Sequence, residues 1–365
     1  MGLRHLLAPR LLPLRAYVPP ADAPAVKLDA NESPWPLPDA AQQRLAEEIA
    51  RLALHRYPDG AASKLRAVLA ARLAAPAEDL ILGVGSDEVI AILMTALSNP
   101  RIAGRAPAVL FPTPTFVMFG ISATAHGAMP VGVPLDATWE LDVSAMSTAL
   151  VEHRPNLVFL ASPNNPTGNT FDERRVRALV EADPECLFVI DGAYDVFAER
   201  SLAHLCEEYD NVALLGTLSK MGLAGARVGW CRLPQGLAEQ VDKARQPYNL
   251  GSLAQSVALL ALSELRPVFE EQIRAVVAER RRLATGLGGL AGITVYPSEA
   301  NFLFLAVDGD ADALASALLE EGIAIRSFHG MGGAMLGHVR VTVGTPAEND
   351  ALLSAMPAAI DASRR

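Results

Sequence analysis

Apolar residues along this chain follow two rhythms. Residues 40–54 and 65–74 carry them at helical spacing, whereas short unbroken runs centre near Leu80, Val109, Val131, Val158, Phe188 and Leu214. Unbroken runs of strand length, bounded by Gly, Pro, Asn or Asp, fit strands buried in a sheet, and the segments between them are helical in period. This alternation predicts βαβ units, hence an α/β fold with a mainly parallel sheet. The rhythm breaks near Gln246-Pro247-Tyr248-Asn249. A helix over 253–262, a long charged helix over 268–287, a strand run at 301–305 and further αβ pieces follow. The expected organisation is a large domain over 37–246 and a smaller one over 247–365, which the arm 1–36 joins. A ligand is expected between the two domains.

The ends of the apolar runs collect the candidate chemistry. The run Val212 to Gly216 leads into Thr217-Leu218-Ser219-Lys220, with Arg227 seven positions after the lysine. Ligands of open α/β sheets bind outside the carboxyl ends of the strands, where a partly desolvated lysine can lose its proton and attack a carbonyl. A solvated surface lysine would read the same way locally. Leu187 to Ile190 runs into Asp191-Gly192-Ala193-Tyr194. A carboxylate there is costly unless a cation faces it, and a protonated pyridine nitrogen is one such cation. Leu157 to Leu160 leads into Ser162-Pro163-Asn164-Asn165-Pro166-Thr167-Gly168, where the turn residues fix the Asn165 amide for donation to a ring oxygen or form an ordinary turn. Gly83-Val84-Gly85-Ser86-Asp87-Glu88 precedes a helical pattern through Val89, Ile90, Leu93 and Met94. Small residues at a helix start leave N–H groups for a phosphate, although Ser86 or Asp87 could equally cap that helix.

Together these segments resemble the fold-type I pyridoxal-phosphate aminotransferases, and within them the histidinol-phosphate aminotransferase branch. The likeness runs from Leu28-Asp29-Ala30-Asn31 through Arg56-Tyr57-Pro58 to Val339-Arg340-Val341-Thr342, and rests most on the joint order of Asn165, Asp191, Tyr194, Lys220 and Arg227. It implies pyridoxal 5'-phosphate as cofactor, joined to Lys220, with Asp191 on the pyridinium nitrogen and Asn165 and Tyr194 on the ring oxygen. Phe116 would stack on the ring. Ser86, Asp87, Thr217, Ser219 and Arg227 would surround the phosphate, and Tyr57 would reach it from the neighbouring subunit of a homodimer. Arg340 would clamp the substrate carboxylate, a geometry suited to guanidinium, and Arg326 would meet the substrate's phosphate. Histidinol phosphate has no α-carboxylate, so Arg340 would serve its phosphate end and the carboxylate of the keto acid in turn. Tyr17, Asn31 and Trp35 would also border the substrate. The implied reaction takes histidinol phosphate and 2-oxoglutarate to imidazole acetol phosphate and glutamate.

Several positions depart from the branch. Gly192 replaces a usual Glu, Val84 a usual Asn, and Phe116, Phe119 and Trp35 stand where tyrosines are common. A pocket lined by those three would also admit an aromatic amino acid, so aromatic transamination stands as an alternative unless the rings simply pack the core. Decarboxylation of a phosphorylated amino acid is a further alternative on this scaffold, and a cofactor-sensing regulator would need an added DNA-binding module. Composition changes the picture little. Acidic residues outnumber basic ones by 41 to 31, a net charge of -10 that argues against a nucleic-acid partner. Cys186, Cys206 and Cys231 show no paired spacing, as in reduced cytoplasmic proteins, and no apolar stretch suits a membrane. No metal is expected. The basic start, residues 1–20, faintly resembles a transit segment but reads better as an arm over the site. Gly286-Leu287-Gly288-Gly289-Leu290-Ala291 matches a dinucleotide-binding pattern in letters, yet follows a charged helix where the motif needs a strand.

Overall fold

A strand covered on both faces must be apolar at every position, and the unbroken runs satisfy that. Leu157–Ala161, Leu187–Asp191 and Val212–Thr217 are buried throughout, and Leu80–Val84 and Ala108–Thr113 at all but their last residue. The computed structural model describes residues 3–14 and 24–364. In it these strands join Met129–Pro134 and Val228–Arg232 in a seven-stranded sheet. Across the sheet the order is Leu80–Val84, Val228–Arg232, Val212–Thr217, Leu187–Asp191, Leu157–Ala161, Ala108–Thr113, Met129–Pro134. Pairing is parallel except around Val228–Arg232, which runs antiparallel to both neighbours. That strand escapes a reading by apolar runs, because Gly229 and Arg232 interrupt it.

Alternate residues of each strand feed two cores. Ile81, Phe159, Val189 and Leu215 meet the helices Gly85–Ala96 and Met118–Ala125 on one face; Leu110, Val158, Phe188 and Leu214 meet Val143–His153 and Glu173–Ala182 on the other. The outer pair of helices begins with carboxylate caps: Asp142 accepts from Ala145 N, and Asp172 from Arg174 N and Arg175 N. Cys186 and Cys231 lie buried in these cores, and burial raises both thiols above their ordinary range.

After residue 247 the chain first stays with the large sheet. Ala258, Leu260 and Phe269 pack with Leu65, Leu69 and Leu80, so the helix Ser252–Leu262 and the start of Arg266–Gly288 cover that side. The later half of Arg266–Gly288 turns to a second core, where Leu283 and Leu287 meet the helices Ala311–Glu320 and Pro346–Ser363. There an antiparallel sheet runs Arg326–Ser327, His338–Thr342, Phe302–Val307, Ile293–Val295. The arm joins this core: Val26–Lys27 pairs in parallel with Ile323–Ala324, and Leu28 is buried beside them.

One backbone approach ties the large sheet to the loop that opens the helix Gly85–Ala96. A Cβ on Gly229 would lie 2.4 Å from Gly85 C and from Ser86 N, so the antiparallel strand presses directly on that loop. Gly229→Ala should therefore destabilise the fold by about 1–3 kcal/mol, the usual cost of overpacking. Gly225→Ala, with no atom within 4 Å of its Cβ, should leave the urea midpoint unchanged or raised. Equal midpoints for the two variants would refute this contact.

Candidate active site

Four strand ends and the loops beyond them converge where ligands of such sheets bind. Asp191 is the last residue of its strand and 4% exposed; Ala193 N donates to its Oδ1 at 3.0 Å. Burial pushes its carboxyl up to about 7, a shift that the Ala193 bond and the nearby Lys220 charge only partly offset and Asp87 reinforces. Lys220 lies in the single π-helical turn Ser219–Leu223 directly after the strand Val212–Thr217, with its Nζ 5.6 Å from the ring centroid of Tyr194. Gly222 allows that turn by adopting φ 112°.

Tyr194 is buried and held from two sides. Asn31 Nδ2 donates to its hydroxyl at 2.9 Å, and Phe302 meets its ring edge to face at 5.1 Å. Asn31 is itself fixed in a left-handed conformation, φ 55°, by Thr342 and by Asn301, whose amide donates to Asn31 O. Arg340, on the small-domain strand His338–Thr342, donates from Nη1 to Asn165 Oδ1 at 2.6 Å and from Nη2 to Asp29 O. Its guanidinium carbon lies 5.5 Å from the Phe302 ring centroid. Lys220, Tyr194, Asn31, Asn165 and Arg340 thus form one connected cluster across the two sheets.

The second cluster lies where the helix Gly85–Ala96 starts. Neither Ser86 nor Asp87 caps it, so that alternative is not the arrangement found; Glu88 Oε2 instead accepts from Val84 N, the residue before the helix. Gly85 takes φ 74° and donates to Arg227 O at 2.9 Å; a Cβ there would lie 2.5 Å from Arg227 Nη2. Arg227, left-handed at φ 52°, bonds Asp87 Oδ2 at 2.8 Å. Thr217 and Ser219 are buried with hydroxyls 2.9 Å apart, and Thr217 Oγ1 also donates to Val228 O. Two hydroxyls, a guanidinium and a helix start are the kinds of donor that can hold a phosphate.

The remaining expected residues lie at the edges of these clusters or beyond them. Phe116 sits at the edge of the large core, edge to face with Phe119 at 5.6 Å. Phe119 lies fully inside that core, stacked on Phe159 at 4.7 Å, and so does not line the pocket expected of it. Trp35 packs beside Tyr194, Phe197 and Phe302. Arg326 is exposed and pairs in register with Arg340 on the adjacent strand. Tyr57 is 81% exposed and stacks on Tyr248 at 4.7 Å. Tyr17 lies outside the described residues. Sequence reading missed the supports: Phe302, Thr342, Asn301, and Asn164, whose amide holds Thr167 Oγ1 and Pro114 O and so fixes the turn carrying Asn165. The strand run at 301–305, the turn 162–168 and the stretch 339–342 contained them without giving them a role.

The chain matches the family model "Aminotransferase class I and II" over residues 23–356 and belongs to that family. It is 40% identical over 357 residues to the histidinol-phosphate aminotransferase of Chromobacterium violaceum, covering 98% of each chain. It is 42% identical over 347 residues to the enzyme of the same name from Methylibium petroleiphilum, covering 94% of this chain and 91% of that one. A crystal structure of histidinol-phosphate aminotransferase from Sinorhizobium meliloti in complex with pyridoxal-5'-phosphate superposes with a TM-score of 0.86 at 25% identity, over 99% of this chain and 98% of that one.

The Asp191 geometry carries a pH consequence for the protein free of any ligand. Its carboxyl releases a proton near 3.8 when unfolded and near 7 when folded. Between those values the folded state binds more protons, so stability falls as pH rises, by a few kcal/mol in all on the order set by linkage. Asp191→Asn removes the penalty. In cofactor-free protein it should raise the unfolding free energy at pH 8, with a clearly smaller gain at pH 5. An equal gain at both values, from urea unfolding, would contradict a strained carboxylate.

Proposed function

We propose that this protein is a pyridoxal-phosphate-dependent transaminase that converts histidinol phosphate and 2-oxoglutarate to imidazole acetol phosphate and glutamate, a step of histidine biosynthesis. The observation that carries this reading is the buried Asp191 carboxyl at a strand end beside Lys220. A carboxylate so placed calls for a cation, and a protonated pyridine nitrogen meets that need without introducing a free ion. The helix start with Arg227, Thr217 and Ser219 suits the same molecule's phosphate. Full-length relatives bearing the enzyme's name support the choice of substrates.

When bound, the cofactor supplies an electron sink that acidifies the substrate's Cα–H bond. The residues of this chain do the rest. Asp191 would keep the ring nitrogen protonated, Asn165 and Tyr194 would orient the ring oxygen, and Lys220 Nζ would hold the cofactor through its aldehyde and carry the proton of the substrate's Cα. Arg340 receives a carboxylate in the keto-acid half-reaction, and Arg326, one strand away and exposed to the cleft side of the pairing, serves the donor's phosphate. Tyr57, projecting from the surface, completes the phosphate site of a second subunit in a cytoplasmic homodimer. Phe119 belongs to the core, so at most two of the three aromatic replacements, Phe116 and Trp35, remain to line a pocket, which weakens the case for an aromatic amino donor.

Lys220→Ala should abolish turnover and the visible absorbance of the lysine-linked cofactor while the protein stays folded; retained absorbance would overturn the assignment. Arg326→Gln should lower kcat/KM for histidinol phosphate by about tenfold or more, the worth of a charge-assisted hydrogen bond, and spare phenylalanine as donor. Equal losses with both donors would remove Arg326 from phosphate recognition.

A further inference from the structure

Trp139 is a large-domain residue wedged into the small domain. It sits in the loop 136–140 after the strand Met129–Pro134, with φ 63° and 9% exposure. The loop is built to hold that conformation. Asp136 Oδ1 accepts from Thr138 N, Thr138 Oγ1 and Glu140 N, and Arg175 Nη1 donates to Asp136 Oδ2 at 2.7 Å. The indole meets three rings edge to face: Phe304 at 5.4 Å, His338 at 5.4 Å and Tyr296 at 6.0 Å. Those rings stack on one another, His338 on Phe304 at 4.9 Å and Tyr296 on Phe304 at 5.4 Å, so the wedge meets one rigid aromatic face.

That face belongs to the strands that carry Arg340. Phe304 is the register partner of Arg340, and His338 precedes it by two residues on the same side of its strand. From the other end, Trp139 O accepts from Asn169 Nδ2 at 3.0 Å. Asn169 O accepts from Asn164 N at 2.8 Å, and Asn169 Oδ1 accepts from Thr167 Oγ1, so Asn169 closes the turn that carries Asn165. Asn165 Oδ1 in turn accepts from Arg340 Nη1. The contacts therefore make a ring: Arg340 strand, aromatic face, Trp139, Asn169, the 164–168 turn, Asn165, and Arg340 again.

We propose that Trp139 is a positioning residue that sets the Arg340 strand against the Asn165 turn and so fixes the guanidinium at the height needed to receive a substrate carboxylate. The inference rests on the reading of Arg340 as the carboxylate receptor. The aromatic body, with its edge in the ring cluster, is what the site requires; the indole N–H finds no acceptor among the described residues. Removing the wedge lets the two sheets shift, while Lys220, Asp191 and the donors for a phosphate, all on the large domain, keep their places.

The test uses the cofactor-loaded enzyme with 2-oxoglutarate as substrate and glutarate, which lacks the keto group, as an unreactive probe. Trp139→Leu should raise KM for 2-oxoglutarate and the dissociation constant of glutarate by about tenfold, with kcat changed by less than about threefold and the visible cofactor absorbance kept. Trp139→Phe, which keeps a ring edge, should recover most of the loss. Phe304→Leu removes the same contact from the small-domain side and should give the same split if Trp139→Leu does not fold. In an Arg340→Gln background, Trp139→Leu should add nothing further to the glutarate constant. If Arg340→Gln weakens glutarate binding and neither Trp139→Leu nor Phe304→Leu does, the proposal falls alone. If Arg340→Gln leaves glutarate binding intact, the reading of Arg340 falls and takes the proposal with it. A loss confined to kcat, or Trp139→Phe as impaired as Trp139→Leu, would also overturn it.

Discussion

The arrangement depends on one unfavourable burial. A carboxyl group at the end of a central strand, shielded from water, cannot ionise cheaply, and among the described residues only one backbone N–H bonds it. Everything around it is compatible with a cationic ring arriving from outside. Lys220 lies close enough to act on its charge, the tyrosine beneath the lysine is pinned by an asparagine, and a helix whose Asp87 also acts on the carboxyl starts nearby. Stability given up at one buried group is the usual mark of a site shaped for something other than folding.

Positioning is divided between the two sheets. The large one supplies the groups that would hold a cofactor, each at or just past a strand end, where backbone ladders hold the flanking residues still. The small one supplies Arg340, and its place relative to the large sheet is set by contacts that cross between them: Arg340 to Asn165, Asn31 of the arm to Tyr194, and Tyr194 against Phe302. A shift of either sheet would break several of these together, so they act as a unit.

Much of this was readable in the chain because the large-sheet strands are buried on both faces and their ends carry the chemistry. Six strand centres, from Leu80 to Leu214, lie within observed strands, and the groups at Asp191 and Lys220 follow from where two of those runs stop. The misses have physical causes. The strand Val228–Arg232 is broken by Gly229, whose missing side chain is required by the loop it presses on, so the feature that hid the strand is also its function. The helix expected to reach residue 54 ends at Ala50, and Leu54 is left exposed: its apolar letter suggested a buried helical face that is not there. Phe119 shows the converse, an aromatic left open between pocket and core that fills the core, since letters alone do not say on which side of a helix the sheet lies. Supports such as Asn164, Asn301 and Trp139 were illegible because their importance comes from partners remote in the chain.

The buried thiol of Cys231 has a practical corollary. It sits on the antiparallel strand that braces the loop at Gly85, entirely out of reach of solvent and with its proton held tightly. An alkylating reagent can meet it only in molecules whose central sheet has come apart, so the labelling of this one sulfur records how often the scaffold opens, independently of any catalytic assay. Ligands that occupy the strand ends would slow that clock in proportion to how firmly they are held.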